Sequence, residues 1–337
     1  MRIILSFLLF CQIGVFATVT DYDCIVVGTS PFSMLEALYQ HYSGKRVLMI
    51  DEADTYGGAW KSINICGIAH ADMGCHEIGC QQEIKEFLQD YVGCKLLSLD
   101  NPHQLYQEPA PPYSKGFYPS EGCYELIGNL KKLVKAANLD VLLQHRINSI
   151  RLDGDTGIAE VKAQDRCFTT PKIIVTPCSK LYVENFPDAE LNKNPCANKH
   201  FHLYLLVEDP SIPRFTYEDS IVEGASRGAN LTWYLGLEGT GMQLIVIQAR
   251  DEKNLAHGEG YLEALKEKKY LDPTARILRM ETYIYEQCHI NPTSIEELGT
   301  TAQSIFDIMD TWNLGRMCDY IGKWKEVLRP FNEIVHD

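Results

Sequence analysis

The sequence is short of basic residues. Over 337 positions, 31 Lys and Arg face 45 Asp and Glu, a net charge of -14. No local Lys/Arg cluster offsets this balance. A chain so acidic repels a phosphate backbone, which excludes nucleic acid as the main partner. Beyond the N-terminus no apolar run reaches the length of a bilayer span, so no integral span is expected in the mature chain. The sequence also lacks an internal repeat, a low-complexity tract, a P-loop, a G-x-S-x-G elbow and an EF-hand loop. His70, Asp72 and His76, with Cys66, Cys75 and Cys80 nearby, match no zinc-ligand spacing, so no metal is assigned. Their plainer reading is a loop with a disulfide or buried thiols. What is present is ordinary globular composition, 45% hydrophobic and 23% charged, enough for one large domain or two intimate ones.

Arg2, the nearly all-apolar residues 3–10 and the small-residue site Val15-Phe16-Ala17 predict a secretory signal peptide over residues 1–17, cleaved after Ala17. The other reading of this stretch is an uncleaved anchor or a buried N-terminal strand. A signal peptide implies a secreted or lumenal, extracytoplasmic protein. Removal of Cys11 leaves eleven of the twelve cysteines, so at least one thiol stays unpaired in a compartment where disulfides persist. Asn230-Leu231-Thr232 is a glycosylation acceptor triplet.

Residues 22–27 read as a buried strand, with Ile25, Val26 and Val27 β-branched. Gly28-Thr29-Ser30-Pro31-Phe32-Ser33 follows, with Ser30 as N-cap and Pro31 at the first helical position. Met34, Leu35, Leu38, Tyr39 and Tyr42 then recur at helical spacing, and Ser43-Gly44 stops the helix. Residues 46–50 form a second strand ending at Asp51. This is a parallel βαβ unit of the dinucleotide-binding kind. Its helix N-terminus would face a pyrophosphate, and Asp51 would accept from ribose hydroxyls. Two of the three fingerprint glycines are replaced, by Ser30 and Ser33. A nucleotide site with serine donors and a βαβ unit that has lost its nucleotide both fit this loop.

Asp51 is followed by Glu52-Ala53-Asp54-Thr55-Tyr56-Gly57-Gly58-Ala59-Trp60-Lys61. This stretch resembles the flavoprotein superfamily of amine oxidases, protoporphyrinogen oxidase, phytoene desaturase, UDP-galactopyranose mutase and the Rab GDP-dissociation inhibitors. Residues 21–63 are most similar to the Rab inhibitors. Ala71-Asp72-Met73-Gly74-Cys75-His76-Glu77 resembles the family's Asp-x-Gly-x-His segment beside the flavin ring. Phe117-Tyr118-Pro119-Ser120-Glu121-Gly122 resembles its Tyr-Pro-x-Gly-Gly helix entry, ahead of a helix carrying Leu126, Leu130, Leu133, Val134 and Ala137. Residues 141–152 read as one strand, and in the family the residue matching Ile147 contacts the adenine end through its backbone. Lys172-Ile173-Ile174-Val175-Thr176-Pro177 resembles the strand that returns to the nucleotide domain. The family's closing Gly-Asp segment has no counterpart, although Thr311-Trp312-Asn313-Leu314 stands in for part of it.

The resemblance implies an α/β fold: a Rossmann-like FAD/NAD(P)-binding domain of the GR2 flavoprotein type with an interleaved α+β substrate domain. The nucleotide part would comprise residues 18–80, 115–200 and 295–337, and the cap residues 81–114 and 201–294. It further implies FAD held by Gly28, Ser30, Asp51, Gly57, Gly58, Lys61 and Ile147. His76 would be the active-site residue, orienting substrate, transferring a proton or holding its loop. The implied activity is hydride transfer from a small molecule to flavin N5, with reoxidation by oxygen. The alternatives are a non-catalytic binder in the manner of the Rab inhibitors and a flavin-dependent mutase.

From the residues themselves, 81–92 read as an amphipathic helix with Ile84, Phe87, Leu88, Tyr91 and Val92 inward. Residues 108–113 read as a Pro-rich loop. Residues 201–207, 231–237 and 243–249 are strand-like and would roof the cleft. Tyr204, Trp233 and Tyr234 either line that cleft or fill a core. Residues 303–325 read as a terminal helix with Ile305, Ile308, Met309 and Trp312 on one face.

Overall fold

The computed structural model describes residues 20–76, 78–79, 81–98, 116–176, 181–189, 196–289, 295–309 and 314–335. The expected signal peptide, the Pro-rich loop, Cys80 and the Thr311-Trp312-Asn313 stretch lie outside them.

Strands β1 (Thr20–Asp21) and β2 (Cys24–Val27) lead into helix α1 (Pro31–Tyr42) and strand β3 (Val47–Ile50). A hairpin follows, β4 (Ser62–Ile65) and β5 (Ile68–Asp72), then α2 (Gln82–Tyr91), β6 (Leu96–Ser98), β7 (Phe117–Pro119) and α3 (Gly122–Ala136). Next come β8 (Asp140–Leu142), β9 (Ile147–Asp153), β10 (Ile158–Ala163), β11 (Arg166–Thr170) and β12 (Ile173–Val175). The later strands are β13 (Cys196–Glu208), β14 (Tyr217–Asp219), β15 (Ala225–Asn230), β16 (Met242–Ala249), β17 (Arg276–His289) and β18 (Phe306–Ile308).

The parallel sheet runs β18-β12-β2-β3-β8. Its strands are buried on both faces, which is why they read as continuous apolar runs. Period two divides them. Cys24, Val26, Val47 and Met49 pack under α1 and α3. Ile25, Val27, Leu48 and Ile50 pack against the antiparallel sheet β1-β11-β10-β9. The second large sheet, β14-β15-β16-β13-β17, lays Tyr204, Leu206, Leu244 and Val246 over the β4–β5 hairpin. Leu203, Leu205, Ile245 and Ile247 on its far face pack under the helix Gly258–Glu267. Among the described residues no helix is long and apolar enough to cross a membrane.

Three expected elements differ. The single strand over 141–152 is two strands in different sheets. Gln144, at a left-handed φ of 59°, turns the chain between them. Residues 231–237 form no strand. Asn230 Oδ1 accepts from Thr232 N at 3.1 Å, and this local bond opens a tight helical turn, Thr232–Tyr234. The terminal helix is broken into Thr300–Ile305, strand β18 and a later helix, Cys318–Lys325. The open edge of β12 captures Phe306–Ile308 as its partner, and sheet pairing overrides the helical spacing.

Candidate functional site

At the C-terminal ends of the parallel strands the order reverses beside β2. The chain passes from β2 to β3 and β8 on one side, and returns as β12 and β18 on the other. Such a switch point is where open α/β sheets bind ligands. Gly28, Asp51 and Thr176 meet here. Gly28 N donates to Ile50 O at 2.7 Å. A Cβ on Gly28, whose φ is +92°, would lie 3.5 Å from Ser33 Oγ and 3.7 Å from Thr176 Oγ1.

The Asp51 carboxylate is oriented by its neighbours. Thr29 Oγ1 donates to Oδ2 at 2.6 Å, and Ala53 N donates to Oδ1 at 2.9 Å. Gly57 N donates to Thr29 O at 3.0 Å, folding the Gly57-Gly58 turn back onto the first loop. Gly57 requires its φ of +115°, since a Cβ there would stand 3.1 Å from the Lys61 backbone and 3.2 Å from Ile127. The turn lies against Ser30: a Cβ on Gly58 would be 3.6 Å from Ser30 Cβ. Ser30 caps α1. Its Oγ accepts from Ser33 N at 3.2 Å and shares a 2.9 Å hydrogen bond with Ser33 Oγ. Among the described residues nothing accepts from the Phe32 N–H.

Six of the sequence-identified residues therefore converge: Gly28, Ser30, Asp51, Gly57, Gly58 and Lys61. Lys61 joins through its backbone, its carbonyl accepting from Met73 N at 3.1 Å. Ile147 stands apart. It is buried at the start of β9, paired with Ala163.

His76 lies on the far side of this turn. Its ring stacks on Trp60 at 4.5 Å and 22°. Its Nε2–H donates to Met73 O at 2.9 Å, the carbonyl fixing the tautomer. Burial, reinforced by Arg227, pushes its pKa down to about 4, while the Met73 and Ala59 carbonyls oppose the shift. His202 on the roof is pushed down to about 3, by burial first and then by His76, His200 and Arg227. Both rings are neutral in the fold and charge more readily once unfolded. Between pH 6.5 and about 4 the unfolded chain binds more protons, so stability falls as pH falls through that window. Thermal melts from pH 7 to pH 4 should show the decline, and His76→Asn should reduce it in part, leaving the share of His202.

Sequence reasoning missed the centre that joins loop and roof. The Asp72 carboxylate is fully buried. It accepts from Tyr118 Oη, from Ser62 Oγ at 3.0 Å and from Cys123 N at 3.0 Å, in the first turn of α3. Its backbone N–H donates to Tyr234 Oη at 2.9 Å, and its carbonyl accepts from Tyr204 Oη at 2.8 Å. Tyr204, Trp233 and Tyr234 thus belong to the packed layer under the roof. Cys66 and Cys75 are buried thiols facing the carbonyls of Tyr204 and Val246. No metal-holding cluster occurs among the described residues. Asn230 is also fully buried, and its Nδ2 donates to Gln243 Oε1 at 2.9 Å. The folded chain therefore does not present the glycosylation triplet.

No protein-family model and no curated protein matches the sequence. Solved structures do match in fold. A single-site variant from a redesign of cofactor binding in putrescine oxidase aligns with TM-score 0.62 at 12% identity, covering 95% of this chain and 100% of that one. An oxidoreductase from Methanosarcina mazei aligns with TM-score 0.58 at 12% identity, covering 86% and 94%. The chain shares the fold of these two solved structures. A Rab GDI from Plasmodium falciparum shares that fold, with TM-score 0.54 at 10% identity and coverage of 92% and 98%. The shared fold thus occurs in oxidoreductases and in a GDI, so the site's own residues must discriminate function.

Proposed function

We infer that the chain is an FAD-dependent oxidoreductase acting on a small molecule. Its nucleotide part is a Rossmann-like, GR2-type unit of residues 18–80, 115–200 and 295–337. Residues 201–294 would form the cap, whereas Ile84, Phe87 and Leu88 of α2, assigned to the cap from sequence, pack into the core beside α1 and α3. The supporting observation is the Thr29–Asp51 bond, locked by Gly57 N–H to Thr29 O, at the switch point of the parallel sheet.

The residues fit FAD with one altered contact. Asp51 is only partly buried, and its oxygens keep lone pairs for ribose hydroxyls. The Phe32 N–H, at the positive end of α1, and the Ser30 hydroxyl would face the diphosphate. Gly57 and Gly58 allow the close backbone turn, Lys61 ties that turn to the β5 end, and the Ile147 backbone would meet adenine. FAD, when bound, supplies a hydride acceptor at N5 that oxygen reoxidises with release of peroxide. The chain supplies orientation and dryness. Trp60 and His76 form one wall, and the inner roof face forms the other. His76 stays neutral and holds the Met73–His76 loop against Trp60. Substrate-dependent oxygen uptake matched by peroxide release, across a panel of small amines and acids, tests the activity. A flavin-loaded protein with no substrate-dependent uptake contradicts it.

One observation favours a second reading, a non-catalytic binder. Ser30 Oγ already accepts from Ser33 N, where an anion would otherwise sit. Ser30→Gly separates the two. It costs only a few tenths of a kcal/mol as a cap and opens the close approach. An FAD enzyme should then hold FAD several-fold more tightly in an equilibrium titration, whereas a binder with a lost site should gain nothing.

A further inference from the structure

Strand β17 is the outer edge of the roof sheet. Its 14 residues pair with β13 on one side, and among the described residues nothing pairs with the other side. A long open edge offers unpaired N–H and C=O groups to another strand. The one register shift in this ladder falls near its start, between Leu206 and Val207. The ladder is regular from Arg279 onward.

Register decides which groups face out. In an antiparallel ladder, alternate residues turn their N–H and C=O to opposite sides. Leu244 O accepts from Leu231 N at 2.8 Å on the β15 side of β16, and Gly241 O accepts from Asp209 N at 2.9 Å on its β13 side. Odd residues of β16 therefore bond odd residues of β13, which leaves the even residues of β13 to bond the odd residues of β17. The main chains of Met280, Thr282 and Ile284 thus point away from the sheet. Their side chains lie on the far face, because Met280 and Thr282 pair with Leu205 and Leu203, which pack under the helix Gly258–Glu267. Leu278 and Met280 are each 46% exposed and Ile284 is 43% exposed, an apolar row along the open edge. This stretch is also electrically neutral. The charged side chains between Leu278 and Ile284 are Arg279 and Glu281, which pair with each other. On a chain of net charge -14, a neutral apolar edge is where a second copy meets little repulsion.

We propose that β17 binds a second copy of this chain, the two edges pairing antiparallel about a two-fold axis at Thr282 and joining the two roof sheets into one. The strand is self-complementary in this register. Thr282 meets Thr282, and Met280 meets Ile284 on each side of the axis, a threonine pair flanked by apolar pairs. Each of these outward-facing pairs exchanges two main-chain hydrogen bonds. Moving the axis to Glu281 sets that carboxylate against its own copy, and like charges directly opposite destabilise a ladder. Moving it to Met280 sets Arg276 against Ile284. The proposal uses no residue of the nucleotide cleft, so it stands apart from the flavin reading.

Sedimentation velocity of the mature protein tests it. One strand pair is a small interface, so the dimer should form at about 10–100 μM and dissociate near about 1 μM. Two acidic copies repel through solvent, so raising the salt from about 0.05 M to about 0.5 M should tighten the dimer several-fold. Thr282→Pro removes an outward N–H that the fold does not use, a change that edge strands tolerate. It should weaken association about tenfold or more and leave the melting temperature nearly unchanged. Thr282→Cys sets two thiols across the axis, where paired Cα atoms about 5.5 Å apart suit a disulfide. Mild oxidation should then give a reducible dimer that the parent protein does not give. A monomer at every concentration and salt, a dimer unaffected by Thr282→Pro, or no cross-link through position 282 overturns the proposal.

Discussion

The Asp72→Ala variant is expected to lose about 3–5 kcal/mol of folding stability, a large part of what a protein this size retains. The carboxylate is removed from water and collects three donors from three elements: Ser62 on β4, Tyr118 on β7 and Cys123 on α3. Alanine strands all three in a closed space, and each buried orphan costs about 1–3 kcal/mol. It also removes an anion from the first turn of α3, where the helix dipole favours one. Burial raises the Asp72 pKa, while those same donors pull it back. Asp72→Asn keeps the volume but turns two acceptor sites into donors, so it should recover only part of the loss. Urea midpoints of the three proteins measure this. A loss below about 1 kcal/mol in Asp72→Ala contradicts the assigned role.

Asp51→Ala should act on the cofactor and leave the fold nearly intact. Asp51 is partly exposed, and its internal partners are one hydroxyl and one backbone N–H. Hydrogen bonds to a charged acceptor contribute about 1.5–3 kcal/mol, so losing the ribose contact should weaken FAD binding roughly 10-fold to 150-fold. Asp51→Asn should fall between. An FAD dissociation constant unchanged in Asp51→Ala removes the ribose role. A melting temperature reduced as far as that of Asp72→Ala would mean that Asp51 supports structure alone.

The nucleotide half was legible because its signals are local. Ser30 and Pro31 announce the start of α1, and the apolar runs around Ile25 and Leu48 announce strands buried on both faces. Asp51 and Gly57-Gly58 lie close enough in sequence to be read as one turn. The Thr29–Asp51 bond spans 22 positions and is invisible until β2 and β3 pair. The roof was harder. Trp233 and Tyr234 have strand propensity, but the bond between Asn230 and Thr232 N overrides it. Phe306–Ile308 carries helical spacing yet completes a sheet, because the edge of β12 needs a neighbour. The His200-x-His202 alternation was present in the chain. Its row-mates Gln248 and Arg227 come alongside only through the register of β15, β16 and β13. Asp72 was quoted as part of a motif, but its donors arrive from β4, β7 and α3.

The central claim is that the amino-terminal half lodges FAD against Gly28, Ser30 and Asp51. The visible absorption spectrum of the purified mature protein, recorded before and after incubation with FAD and desalting, tests it most directly. The account predicts a yellow protein holding about one FAD per chain, with Asp51→Ala losing it on the column. A colourless protein that takes up none contradicts it.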